Sequence, residues 1–150
     1  MSTAIEFLVN TASEAEIASH LSRCDTDFVP PLSDRVEIAD YATKLASRAI
    51  RFEAWSGTTL IGLVAAYCND QTRRIGYITS VSVLKEWSGR GISARLLNQC
   101  LEHADASGMR QVSLQVASDN ASAIRLYEKS GFAAGDANGT FISMTRYFKS

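Results

Sequence analysis

Two stretches of the sequence place side chains and backbone where they can do chemistry. The first is V-L-K-E-W-S-G-R-G-I-S, residues 83–93. A β-branched run precedes it. Ile92, Leu96, Leu97, Cys100, Leu101 and Ala104 then follow at helical spacing. A helix N-terminus carries unpaired N–H groups and a partial positive charge. Gly89 and Gly91 let such groups converge on an anion with no Cβ in the way, and Arg90 adds a cation. The same residues equally suit a plain flexible connection from strand to helix. A P-loop is excluded, since no G-x-x-x-x-G-K-[ST] is present. Ile92, Ser93 and Ala94 after Gly91 exclude the dinucleotide-binding G-x-G-x-x-G.

The second stretch is L-Q-V-A-S-D-N-A-S-A-I-R-L-Y-E-K-S-G-F, residues 114–132. Asn120 falls at a strand-to-helix junction. Tyr127 lies seven residues on, about two helical turns, so both can face one cleft. A tyrosine here is either a core ring or a proton donor, and this stretch alone does not choose.

The elements that must position these residues are legible from periodicity. Ala4–Val9 reads as an edge strand. Thr11 or Ser13 caps a helix that runs to about Arg23, and Ser33 caps a second with Ile38, Tyr41, Ala42, Leu45 and Ala49 on one face. Residues 50–55 and 60–67 form a hairpin around Ser56-Gly57. Ile75–Val83 is a long strand, and Gly108 closes the helix that begins near Gly91. Gln111–Val116 is a strand, Ala121–Ser130 a short helix, Asp136–Gly139 a turn and Phe141–Tyr147 a last strand. The order β-α-α-β-β-β-α-β-α-β-β predicts an α/β (α+β) fold: one mixed, mostly antiparallel sheet of about seven strands with helices on both faces.

Composition narrows the function classes. The chain has 150 residues, 46% hydrophobic and 21% charged, as expected for one domain spanning 1–150. A net charge of −1 argues against a nucleic-acid partner. No apolar run of membrane-spanning length and no signal-peptide pattern is found, so a cytoplasmic protein with no membrane partner is expected. Cys24, Cys68 and Cys100 are far apart and suggest no disulfide framework. His20 with Cys24, and Cys100 with His103, share helix faces. They are read as half-buried cysteines and surface histidines, and no metal is called for.

Taken together, the two stretches resemble the GNAT superfamily of acyl-CoA-dependent N-acetyltransferases. Ser88-Gly89-Arg90-Gly91-Ile92-Ser93 fills the place of that family's [Q/R]-x-x-G-x-[G/A] loop. Asn120, Ala123, Tyr127, Lys129, Gly131 and Phe132 meet its N-x-x-A-x-x-x-Y-x-K-x-G-F pattern. Ser88 departs from the usual Gln or Arg, and Ser93 from Gly or Ala. The resemblance covers residues 75–132 closely and the remaining strand order loosely.

The resemblance implies acetyl-CoA as cosubstrate, lying between the fourth and fifth strands, here Ile75–Val83 and Gln111–Val116. Main-chain groups of Val81 and Val83 would pair with its pantetheine arm, and the Val81 N–H would polarise the thioester carbonyl. The pyrophosphate would occupy Ser88, Gly89, Arg90, Gly91, Ile92 and Ser93, and Asn120 would bind the coenzyme arm. Tyr127 would hydrogen-bond or protonate the departing sulfur while a primary amine attacks directly in a ternary complex. The acceptor would meet the first two helices and their loop, through Phe28, Pro31 and Arg35, with Tyr67 and Tyr77 from the strands. Asp27 and Asp34 are further charged groups there. Ile75–Val83 contains no carboxylate to serve as base; Tyr67, Tyr77, Thr79 and Ser80 are its polar candidates for holding a water. The acceptor implied would be a small amine, an amino sugar or a protein. The alternatives are a non-catalytic acyl-CoA-binding module and an interaction domain that forms a homodimer through the last strands.

Overall fold

The computed structural model describes residues 4–148. Its strands are β1 Glu6–Val9, β2 Ile50–Ser56, β3 Thr59–Tyr67, β4 Ile75–Val83, β5 Gln111–Ala117, β6 Ala133–Asn138 and β7 Phe141–Tyr147. Its helices are α1 Glu14–Cys24, α2 Ile38–Arg48, α3 Ile92–Ala106 and α4 Ala121–Lys129. They follow the expected order. The strands form one sheet, β1-β2-β3-β4-β5-β7-β6, in which only β4 and β5 pair in parallel.

Local chemistry explains the helix ends, with two corrections. Ser13 caps α1 through a capping box: its hydroxyl accepts from the Glu16 N–H, and the Glu16 carboxylate accepts from the Ser13 N–H. Ser33 does not cap α2. It lies in a 3-10 turn, Leu32–Asp34, and its N–H and hydroxyl both donate to the Asp25 carboxylate at 2.7 Å. The helix begins later, where the Glu37 carboxylate accepts from the Ala39 N–H. The expected turn at Asp136–Gly139 is also displaced. Asp136 lies in β6, beside a bulge against β7, and the reversal falls at Gly139-Thr140.

Two apolar layers sandwich the sheet. On one face Ile92, Leu96, Leu97, Cys100, Leu101 and Ala104 of α3 and Tyr127 of α4 pack with Phe52, Val64, Ile78 and Val112. On the other, Ile17 and Leu21 of α1 and Ala42 and Leu45 of α2 cover Leu60, Leu63 and Ala65.

Charged and polar groups inside the second layer lock the helices to the sheet. Glu53 is fully buried on β2. It accepts from the N–H groups of Thr11 and Ala12, the Thr11 hydroxyl and the Trp55 indole. Its partner Arg51 lies at 3.5 Å and donates to main-chain oxygens of Ala12, Leu45, Ala46 and Ala49. One ion pair thereby ties β2 to the start of α1 and the end of α2. His20, expected at the surface, is buried. Its Nδ1–H donates to the Leu60 carbonyl, and its Nε2 accepts from the Ser82 hydroxyl, each at 2.9 Å. Burial holds its pKa down to about 4, against the opposing pull of the Leu60 bond and helped by the Arg23 charge.

Two outcomes follow for stability. Glu53→Ala leaves Arg51 buried without its countercharge and should cost about 3–5 kcal/mol in urea unfolding. His20 takes up its proton at about 4 in the folded chain and at about 6.5 in the unfolded one. The unfolded state therefore binds more protons between those values. The contribution is complete above that window and is lost as pH falls through it, by about 3 kcal/mol. His20→Gln should flatten that part of the stability–pH curve. An unchanged slope would show that His20 is not neutral inside the fold.

Candidate functional site

The site begins where the sheet fails. β4 and β5 pair only at Ile75–Gln111, Gly76–Val112 and Tyr77–Ser113, and then part. The split is bounded by Ile78–Val83 on one side and Gln115, Val116 and Ala117 on the other, and it opens a cleft of about 530 Å³.

A bulge in β4 sets what faces that cleft. Ala65 pairs with Ser80 and Ala66 with Ile78, so Thr79 is the extra residue. The Tyr41 hydroxyl of α2 donates to the Thr79 carbonyl at 2.9 Å, and the Thr79 hydroxyl lies 2.6 Å from the Tyr41 hydroxyl oxygen. Beyond the bulge, the Leu84 N–H donates to Ile61 of β3. Main-chain groups alternate in direction along a strand. Those of Val83 and Val81 therefore point the other way, into the split. Their side chains pack against the α3 layer. A ladder of unpaired N–H and C=O groups is what an extended amide chain needs for strand addition.

The glycine loop closes one end. Gly89 and Gly91 have φ of +78° and +76°, the left-handed region that glycine tolerates, and no Cβ-sized obstacle lies near either. Gly91 precedes α3 without any side-chain cap, and the first turn of α3 holds no acidic residue. Its leading N–H groups are thus available to an anion. Ser88 and Ser93 line the cleft. The Ser88 hydroxyl is already used locally, donating to the Lys85 carbonyl at 2.7 Å. Arg90 does not reach the cleft lining: its guanidinium stacks over the Trp87 ring at 4.6 Å. The Ile92 side chain is buried in the core against Gly62. What this loop presents is therefore mostly backbone, a feature that composition does not reveal.

Asn120 and Tyr127 come together on the opposite wall. Asn120 caps α4, its Oδ1 accepting from the Ala123 N–H at 3.3 Å, which leaves its amide NH₂ for the cleft. Tyr127 is buried, with its ring edge-to-face against Phe132 at 5.9 Å. Burial pushes its pKa up to about 12. Its hydroxyl makes no hydrogen bond among the described residues. It is thus both a core ring and a proton-bearing group at the cleft.

The loop between α1 and α2 supplies the far rim. Phe28 and Arg35 line the cleft, with Tyr77 of β4. Pro31 does not; it precedes the 3-10 turn that carries Arg35. Tyr67 also lies outside the lining, with Lys44 over its ring at 5.7 Å. Asp27, Val29, Leu32, Gln115, Ser122 and Phe141 are lining residues that no motif marks. Asp27 was singled out by its charge beside the α1–α2 loop, and Asp34, named with it, is not in the lining; only the turn-rich composition of 25–35 hinted at Val29 and Leu32. The Ser80 hydroxyl is buried beside the cleft without a partner among the described residues.

The chain matches the acetyltransferase (GNAT) family over residues 15–132. It belongs to that family. The sheet order, the parted strands and the glycine loop before α3 are thus a GNAT framework. Over 76 residues the chain is 36% identical to an uncharacterised N-acetyltransferase of Methanocaldococcus jannaschii, covering 48% of this chain and 34% of that protein. It is 39% identical over 64 residues to the mycothiol acetyltransferase of Nocardiopsis dassonvillei, covering 43% and 19%. The chain thus spans well under two thirds of the length of these relatives. Among solved structures, an acetyltransferase of the GNAT family from Streptococcus pneumoniae superposes with a TM-score of 0.75 at 24% identity, covering 95% of this chain and 100% of that one. The PaiA N-acetyltransferase of Thermoplasma acidophilum, solved in complex with coenzyme A, gives 0.74 at 16% identity, covering 97% and 99%.

If the GNAT loop is an anion cradle, inorganic pyrophosphate should raise the thermal midpoint of the protein in a saturable way. Gly91→Glu puts a carboxylate and a strained Cβ there and should remove that shift. An equal shift in the variant would place the anion elsewhere.

Proposed function

We propose that the protein transfers the acetyl group of acetyl-CoA to a primary amine by direct attack in a ternary complex. The observation that carries this is the row of unpaired main-chain groups on Val81 and Val83, between an uncapped helix N-terminus and a buried tyrosine. Strand addition at Val81 and Val83 fits the amides of a pantetheine arm, and the backbone cradle of Gly89–Ser93 fits a pyrophosphate. Coenzyme A in the PaiA structure supports the same reading for this fold.

Each residue has a definable task. The Val81 N–H faces the split and would donate to the thioester oxygen as charge develops on it. Asn120 would donate its amide to the coenzyme arm. Tyr127 would donate its O–H to the departing sulfur. A thiol has a pKa of about 8.5, well below that of Tyr127 at about 12. Full proton transfer from the tyrosine would run uphill, so its contribution is a hydrogen bond that stabilises the thiolate. None of the three cysteines lines the cleft, so no acyl-cysteine step is needed. The acceptor would enter past Phe28, Arg35 and Tyr77. Small amines, amino sugars and protein amines are the candidate classes.

Tyr127→Phe should lower kcat by about 100-fold while leaving acetyl-CoA affinity nearly unchanged. In the wild type, activity should rise with pH as the amine loses its proton near about 10. A donor must be protonated to act, so Tyr127 should cause no falling limb until the pH approaches about 12. An unchanged kcat in the variant would remove Tyr127 from the reaction. Saturable acetyl-CoA binding with no turnover on any amine would favour a non-catalytic binding module.

A further inference from the structure

Of the side chains that line the cleft, only Arg35 is a cation and only Asp27 an anion. The acyl-transfer step itself gives neither charge a task. The coenzyme end is served by backbone N–H groups, and its nearby arginine, Arg90, is turned onto Trp87. Arg35 sits instead at the acceptor rim. Its charge reaches the hydroxyls of Tyr41 and Tyr77, drawing their pKa values down against the upward push of burial. Tyr41 is bound to the Thr79 bulge, and Arg35, Tyr77 and Thr79 line the same cleft. Among the described residues Arg35 has no ion-pair partner.

The backbone that carries it is braced, while the side chain itself is exposed. The Arg35 N–H donates to the Leu32 carbonyl at 2.9 Å, and Leu32 is buried. The Asp25 carboxylate clamps the same turn through Ser33, and those bonds hold the Asp25 pKa low. The Asp27 charge reaches the Cys24 thiol and is not among those that reach the two tyrosines. The cleft thus offers an exposed cation on a braced loop and a separate exposed anion, unpaired with each other among the described residues, in an otherwise neutral lining.

We infer that the acceptor is an amine that also carries an oxyanion group, a carboxylate or a phosphate, which Arg35 binds while Asp27 draws in the ammonium end. This rests on the acetyl-transfer reading. A guanidinium forms paired, charge-assisted hydrogen bonds with either oxyanion, and an uncharged amine forgoes them.

The test compares matched acceptors with acetyl-CoA: β-alanine against propylamine, and phosphoethanolamine against ethanolamine. At least one charged member should exceed its neutral partner in kcat/KM by about 10-fold or more. Which pair shows it separates carboxylate from phosphate. Arg35→Gln should erase that advantage through KM, raising it far more for the charged member of the pair than for its neutral partner, with acetyl-CoA affinity retained. Asp27→Asn should raise KM for charged and neutral amines alike. Good turnover with no preference for either oxyanion, or an equal loss for both members of a pair in Arg35→Gln, overturns the inference and leaves acetyl transfer standing. Bound acetyl-CoA with no turnover on any of the four amines counts against both readings.

Discussion

The early parting of β4 from β5 is the constraint on which the rest of this GNAT fold depends. Parallel strands normally zip along their length, because an unpaired main-chain group away from water costs about as much as a lost hydrogen bond. Here pairing stops after Tyr77 and Ser113, although both strands continue. The separation leaves Val81 and Val83 with main-chain groups facing open space. The same opening brings Tyr127, Asn120 and the loop before α3 to one cavity. A continuous sheet would be better hydrogen-bonded and would have no site.

The Thr79 bulge and the second layer keep β4 in its position. A bulge costs ladder bonds, and the orphaned Thr79 carbonyl is satisfied by Tyr41. Ser82 is bound to His20 of α1. β4 is thus held from the α1–α2 face by two side-chain bonds, one on each side of the residues expected to meet the thioester. The Arg51–Glu53 pair anchors those helices in turn to β2. Buried charge of this kind is weak evidence for net stability, but it fixes a geometry that apolar packing alone leaves looser. Arg35 and Asp27 inherit their positions from that frame, through the clamped turns between α1 and α2.

Much of the architecture was legible in the chain. The 3.6-residue period of Ile92–Ala104 and the alternation of Val112, Leu114 and Val116 specify which faces are buried, and those residues are buried. The glycine stretch, which reaches the cleft through Ser88 and Ser93, and the pair Asn120 and Tyr127 were singled out by motif spacing, where local geometry alone left each open. Ser33 misled because a short polar residue before an apolar run looks the same as a cap and as a partner for Asp25. The choice between them depends on a carboxylate eight residues away. His20 looked like a surface group because its partners, Leu60 and Ser82, lie 40 and 62 residues distant.

The sequence by itself determined the element order, the two-sided core and the family, because periodicity, glycine placement and motif spacing are properties of neighbouring residues. It also marked Tyr127 and the glycine loop as chemically capable. Tertiary structure alone decided that Arg90 stacks on Trp87 while Arg35 faces the cleft. It decided that the Ser88 hydroxyl is consumed locally, and that Val81 and Val83 rather than their neighbours present free main-chain groups. These depend on one extra residue in a ladder and on which long side chain meets which distant surface. No local pattern encodes either, because both follow from how separated segments pack.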